Sequence, residues 1–460
     1  MKAVPLLLTT RPSLRSATTA ASAASPASLQ SQLTAEFKNL SIADTHEHFF
    51  DELDRVKRHV DFFSLVQGSY VESDLVSAGM PEEALRVFHD QQALDSERWR
   101  AMEPYWKLVR FTGYAQALQI AVHDLYGGNP VSGATIRSIN ETIASQNRPG
   151  LYRSILNDHA RIRFCVEDDS CNGCTRIRSS PQNFEYIVLA RRFDKFIIPA
   201  TLADIHELES ATGVSITNLQ GLKQAADRSF QQNLDQGMRA VKVAVAYYRE
   251  LHFDEVGEAE AESDFEALIR QQRALPQGFR AGFVRPFRRL EDHMFHHIMR
   301  LAEAHHLPVQ IHTGIFAGTG GVLTNSRPTL LINTFNLYPQ IPFDIFHLSF
   351  PYQDELGALA RAFPNVHADF CWANVISPPA ARRAFDEFLE SMPLNKILAF
   401  GGDYMYPELS YGHAEIARRT LAEVLAGKVE SGWCTEEDAL DIGRRLLYDN
   451  AAEFFSWQKT

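Results

Sequence analysis

Eight short apolar runs recur along the chain, at residues 41–45, 162–166, 196–200, 240–245, 308–312, 343–347, 366–370 and 397–400. Amphipathic stretches of helical period lie between them, and such alternation builds βα units around a parallel sheet. Open doubly wound sheets usually hold about five to seven strands and leave two edges to protect, whereas eight strands can close on themselves. The pattern therefore predicts an α/β fold, a (β/α)8 TIM-like barrel. The gap between the first and second runs is far longer than a crossover needs. It carries helical patterns at 82–95 and 106–125, with Pro81 and Asp95 as boundary signals, and reads as a helical insertion over about 81–150 after strand 1. Without an internal repeat or a long Gly/Ser linker, the expectation is one barrel over 36–460.

Residues 1–35 contain no acid, are rich in Ala, Ser and Thr, and carry only Lys2, Arg11 and Arg15 as charges. They read as a disordered N-terminal segment. The same composition fits a transit peptide, which would give an organellar address in place of a cytoplasmic one. Lys and Arg number 45 against 57 Asp and Glu, a net charge of −12 that disfavours nucleic acid and anionic membrane and leaves a small molecule as the expected partner. No stretch approaches the ~18 apolar residues that span a bilayer. The five cysteines, Cys165, Cys171, Cys174, Cys371 and Cys434, are too few for a disulfide framework, so a soluble, cytoplasmic chain in a reducing compartment is expected. A homo-oligomer is compatible with all of this.

The chemistry-bearing residues sit where the runs end. Ala43-Asp44-Thr45-His46-Glu47-His48 closes the first run. Residues two apart on a strand share a face, so His46 and His48 can reach one ion. His312 ends the fifth run, His347 the sixth, and Asp403 follows the eighth in Gly401-Gly402-Asp403. Catalytic groups of such barrels collect at the C-terminal ends of the strands. Each residue alone has an ordinary explanation, as a core histidine, a cap or a helix N-cap; four strand ends agreeing by chance is much harder to explain.

This constellation resembles the metal-dependent amidohydrolase superfamily, and within it the amidohydrolase-related family that includes domains fused to glutamine-synthetase-like domains. The resemblance rests on Lys242 with Ala246-Tyr247-Tyr248-Arg249, on Ile311-His312-Thr313-Gly314, and on His347 followed by Phe350-Pro351-Tyr352. It continues through Asn365-Val366 ahead of Asp369, through Asp403, and through Asp449-Asn450-Ala451-Ala452. It covers about 237–455 and 44–48 and is thin between 49 and 236. It implies a divalent metal, with zinc the first expectation and manganese, iron or nickel the others, held by His46, His48 and either His312 or His347. Lys242 interrupts an apolar run, where a buried charge needs a partner. The resemblance implies that CO2 can carboxylate it to bridge a second ion, held by His312 and His347. The alternative is an unmodified lysine paired with Asp403 or with a substrate carboxylate. One ion or two stays open.

Other signals are weaker. His293 and His297 have zincin spacing, but Met294 stands where the catalytic glutamate would be. His305 and His306 precede the fifth run, at the wrong end of a barrel. Cys171 and Cys174 lack a second pair. Residues 317–321 form a glycine-rich turn without dinucleotide spacing. Substrate contacts are expected from Tyr248, Arg249, Tyr352 and Trp372, with Asn325, Arg327, Tyr404 and His413 behind them. The resemblance implies hydrolysis of an amide, ester or related C–N or C–O bond, with Asp403 and His347 as the catalytic residues. A non-oxidative decarboxylase or a uronate-type isomerase is the alternative on the same site. A barrel without catalysis, serving as a binding protein, is the remaining class.

Overall fold

The structure, a computed structural model, describes residues 28–127, 130–168, 186–270 and 286–457. Eight parallel strands run in chain order: β1 (Ile42–Glu47), β2 (Ile162–Asp168), β3 (Ile187–Arg192), β4 (Met238–Val243), β5 (Val309–Ile311), β6 (Phe343–Ile345), β7 (Val366–Asp369) and β8 (Ile397–Leu398). Backbone bonds from Thr45 N to Phe400 O (3.1 Å) and from Asp403 N to His46 O (2.8 Å) bring the first strand against the last. The fold is the expected TIM-like barrel. Gly402 permits the closure, because a Cβ there would lie 1.9 Å from Glu47 Oε1.

One strand was misplaced by the hydropathy pattern. Residues 196–200 overlap a short helix, Asp194–Ile197, whose Phe196 and Ile197 pack in the core. The third strand is Ile187–Arg192, where four apolar residues run into Arg191 and Arg192. Tertiary packing uses an apolar cluster in either backbone form, and the two arginines masked the real strand.

Before β2 the chain builds a helical layer: α1 (Leu29–Phe37), then after β1 α2 (Glu52–Lys57), α3 (Phe62–Gly68), α4 (Val71–Ser77), α5 (Glu82–His89), α6 (Asp95–Val109), α7 (Gly113–Tyr126) and α8 (Ile136–Gln146). The expected helix at 106–125 is two helices, because Arg110 to Thr112 break the run and Thr112 caps α7. Helix α1 occupies part of the segment expected to be disordered, with Leu33 and Phe37 buried; residues 1–27 lie outside the described residues, as do Cys171 and Cys174. Among the described residues no helix is long and apolar enough to cross a membrane.

The helices after β1 share one apolar core with the barrel's mouth. Phe62, Phe63, Trp99, Trp106 and Leu118 join Phe346, Cys371, Trp372 and Tyr404 in a single cluster. Helix α7 meets the long helix Pro407–Glu430 so closely that a Cβ on Gly412 would strike the Ala117 carbonyl. Arg55 of α2 pairs with the fully buried Glu408, which also accepts from Tyr126 (2.6 Å). Removing one partner of a buried ion pair leaves the other charge without compensation and costs about 3–5 kcal/mol. Glu408→Ala should therefore lower unfolding stability by about that amount, read as a reduced midpoint in urea melts.

Candidate metal centre

The barrel interior changes character from one residue pair to the next. Its apolar layer contains Val166, Ala190 and Ala240. Two residues on, the same strand faces carry Asp168, Arg192 and Lys242. Lys242 lies in register with Arg192 on one side and Gln310 on the other, and Gln310 with Asp344. An apolar layer is thus capped by a polar one at the C-terminal mouth, beneath the helical layer.

His46, His48, His312, His347 and Asp403 converge there. Asp403 Oδ1 lies 3.1 Å from His48 Nε2 and 3.7 Å from His46 Nε2, and its Oδ2 lies 3.8 Å from His347 Nε2. His312 Nδ1 is 3.0 Å from His347 Nε2, and Lys242 Nζ is 3.2 Å from His46 Nε2. His347, Trp372 and Asp403 all adopt left-handed φ angles of 61–66°, a conformation that side-chain-bearing residues rarely take and that clusters at functional sites. Tyr70, reaching in ahead of α4, donates to the Asp403 carbonyl (2.6 Å).

Protonation states follow from the partners. His48 Nδ1 faces the Asp168 carbonyl (2.8 Å) and His347 Nδ1 the Cys371 carbonyl (3.0 Å), so both nitrogens donate. Burial drives His347 down to about 4, which leaves its Nε2 a bare lone pair near neutral pH. His312 Nδ1 then donates to it, and among the described residues His312 Nε2 has no hydrogen-bond partner. Burial likewise holds His46 and His312 well below the usual histidine range. Burial opposes ionisation of Asp403, but the hydrogen bond with His48 prevails and keeps it well below the usual carboxylate range. An ionised carboxylate beside the neutral rings of His46 and His347 is a place where a divalent cation would add the missing counter-charge. The donor set fits that need: imidazole nitrogen and carboxylate oxygen suit zinc, iron, manganese and nickel, and the Nδ1-to-carbonyl bonds orient ligands as outer partners of metal sites do.

Among the described residues two clusters have ligand atoms close enough to share an ion: His46, His48 and Asp168, and His347, Cys371 and Asp403. Asp168 and Cys371 were not foreseen. Below them, Asp44, Asp344 and Asp369 are buried together, and burial pushes Asp44 up to about 7 and Asp369 to about 6.

The expected substrate contacts divide. Trp372 is buried, with its ring 5.3 Å from that of His347 and 4.4 Å from that of Tyr70. Arg249 is a correction: its guanidinium is buried and held by Glu291 (3.1 Å), Asp292 (2.6 Å) and the His252 carbonyl, a structural clamp with no donor fork turned to the mouth. Half-buried Tyr352 lies against Arg327, itself paired with Glu355. Tyr248 is half-buried, and it is the preceding Tyr247 that covers the centre, 4.7 Å from the His312 ring, while its hydroxyl accepts from Ala317 N in the glycine-rich turn. His293 donates to the Val256 carbonyl and His297 pairs with Asp227, both on the outer helix Arg288–Ala304. His305 and His306 line a hollow of about 530 Å³ with His367 and Arg239, which lie at the N-terminal ends of their strands, away from the centre.

The eight-stranded barrel thus carries this ring of histidines and Asp403 at its C-terminal mouth. Residues 232–457, which include Lys242, His312, His347 and Asp403, match the amidohydrolase family. A 150-residue stretch is 29% identical to the protein fluG of Emericella nidulans, taking in 32% of this chain and 17% of that protein, so the chain matches only a small part of its curated relative. In overall fold it is similar to a uronate isomerase from Thermotoga maritima, with a TM-score of 0.76, 18% identity, and 93% and 97% of the two chains covered. A glucuronate isomerase from Caulobacter crescentus gives a TM-score of 0.73 at 17% identity, with 94% of each chain covered.

Proposed function

We propose that the chain is an enzyme, a metal-dependent hydrolase of an amide, ester or related C–N or C–O bond in a small molecule. The observation that carries this reading is the ionised Asp403 set among imidazole nitrogens at the barrel's mouth. His46 and His48 would hold one divalent ion with His312 or His347, zinc being the first candidate. Such an ion lowers the pKa of water toward neutrality and polarises a carbonyl oxygen. Asp403, anionic and 3.1 Å from His48, takes the proton of the attacking water and delivers it to the leaving group. His347, neutral and oriented by the Cys371 carbonyl, keeps its Nε2 on the other side of the carboxylate as a candidate ligand. Trp372 and the helices after β1 exclude bulk water.

The test joins elemental analysis of purified protein to a screen of N-acyl, lactone and carboxylate substrates in oxygen-labelled water. Hydrolysis places the label in the product. Carbonyl migration without label, or release of CO2, would replace this reading. The isomerase alternative has one observation in its favour, the fold likeness along nearly the full length of two proteins described as uronate or glucuronate isomerases.

Lys242 is fully buried, its ammonium 3.6 Å from the centre of the Phe346 ring, and burial together with nearby Arg192 lowers it to about 8 against the pull of Asp168 and Asp403. Only the neutral amine adds to CO2, forming an N–C bond and losing a proton. Native mass spectrometry with bicarbonate should show the added mass of one CO2, rising as the pH passes upward through about 8 and absent in Lys242→Met. No mass gain would leave an unmodified lysine and a single ion.

A further inference from the structure

Misplacement of β3 concealed a residue at its tip. Arg191 and Arg192 follow each other, so their side chains leave opposite faces of the strand. Arg191 turns outward, its Nε donating to Asn233 of the helix Leu219–Asp235. Arg192 turns inward, in register with Lys242. Its Nε donates to Asp168 Oδ2 at 2.5 Å, and Asp168 supplies the carbonyl that orients His48. Among the described residues no hydrogen bond engages its two terminal nitrogens, although the side chain is only 17% exposed. A guanidinium held by Nε alone presents its NH2 fork, the geometry that grips a planar oxyanion.

Around it two cations meet two carboxylates, so a divalent ion would tip the mouth toward an anion. Arg192 and Lys242 face the mouth with Asp168 and Asp403 before any divalent ion is added. The fifth charged group near Arg192, buried Asp194, is engaged by the Ala244 amide (3.1 Å). Arg249, the arginine expected from the sequence among the substrate contacts, is closed off by two carboxylates.

We infer that the substrate carries a carboxylate, and that Arg192 binds it through its terminal N–H groups while Nε stays on Asp168. This rests on the reading of the mouth as the substrate site. It needs no particular reaction there.

Binding separates the two questions. The metal-loaded protein is titrated with acetate and benzoate, each against its carboxamide, and followed by tryptophan fluorescence and ligand-observed NMR. Wild-type protein should prefer each carboxylate by about ten- to hundredfold, the usual gain of a charged hydrogen-bond pair. Arg192→Gln keeps a donor for Asp168 but loses the cation, and should lose the preference with metal content and melting temperature unchanged. Arg192→Lys should restore part of it. Equal binding of acid and amide by wild type, or a preference that survives in Arg192→Gln, overturns the assignment. So does equal weakening of both probes together with loss of metal, which would make Arg192 only a support for Asp168 and His48. Failure of the hydrolase reading would look different: carboxylates bound as expected, with no label from water in any product.

Discussion

His48→Ala, purified beside the wild type, is expected to bind divalent metal about 100-fold or more weakly, since loss of an outer partner alone usually costs 10–100-fold. His46→Ala should behave alike. The reason is the shape of the donor set. His48 Nε2 approaches Asp403 at 3.1 Å with its Nδ1 fixed on the Asp168 carbonyl, and His46 Nε2 lies 3.7 Å from the same oxygen. Deleting either ring removes one wall of a preformed cage. The readout is metal per chain by elemental analysis after dialysis against a weak chelator, with circular dichroism to show that the helices persist. Unchanged metal in both variants would mean that the ion, if any, belongs elsewhere.

How the site could be read from sequence depended on where its residues lie on the strands. His46, His48, His312, His347 and Asp403 each follow an apolar run, and a strand tip after such a run is visible without coordinates. Seven of the eight strands were found because buried parallel strands are nearly continuous apolar stretches. β3 was lost because its four apolar residues end in two arginines, while the apolar residues after it form a short helix. Arg192 vanished with it, and Arg249 became the arginine expected to contact substrate. No periodicity could show that Arg249 would meet Glu291 and Asp292 from a helix some forty residues on. Asp168 had a legible signal, three acidic residues in a row, Glu167-Asp168-Asp169, after the run at 162–166. Tyr70 had none, since it reaches Asp403 only through the way the helices after β1 fold over the mouth.

Asp403→Asn should keep the metal and lose turnover, by about 10²–10⁴, the usual contribution of a positioned proton acceptor. The substitution is chosen for its backbone. Asp403 has φ 66°, and asparagine is among the few side-chain-bearing residues that tolerate that region, so the strand end and the Asp403 N–His46 O bond can persist. The amide keeps an oxygen for a cation, but it cannot accept a proton from water near neutral pH. The carboxylate can, and although burial opposes its ionisation, the hydrogen bond with His48 holds it well below the usual carboxylate range. Metal content and turnover must therefore be measured on the same preparation. A fall in both would make Asp403 chiefly a ligand. Metal retained with full turnover would move the proton to another group, and the neutral His347, 3.8 Å from the same carboxylate, would be the next to test. Metal retained with turnover lost is the outcome this geometry predicts, because Asp403 is the one anion that three of the converging imidazoles share.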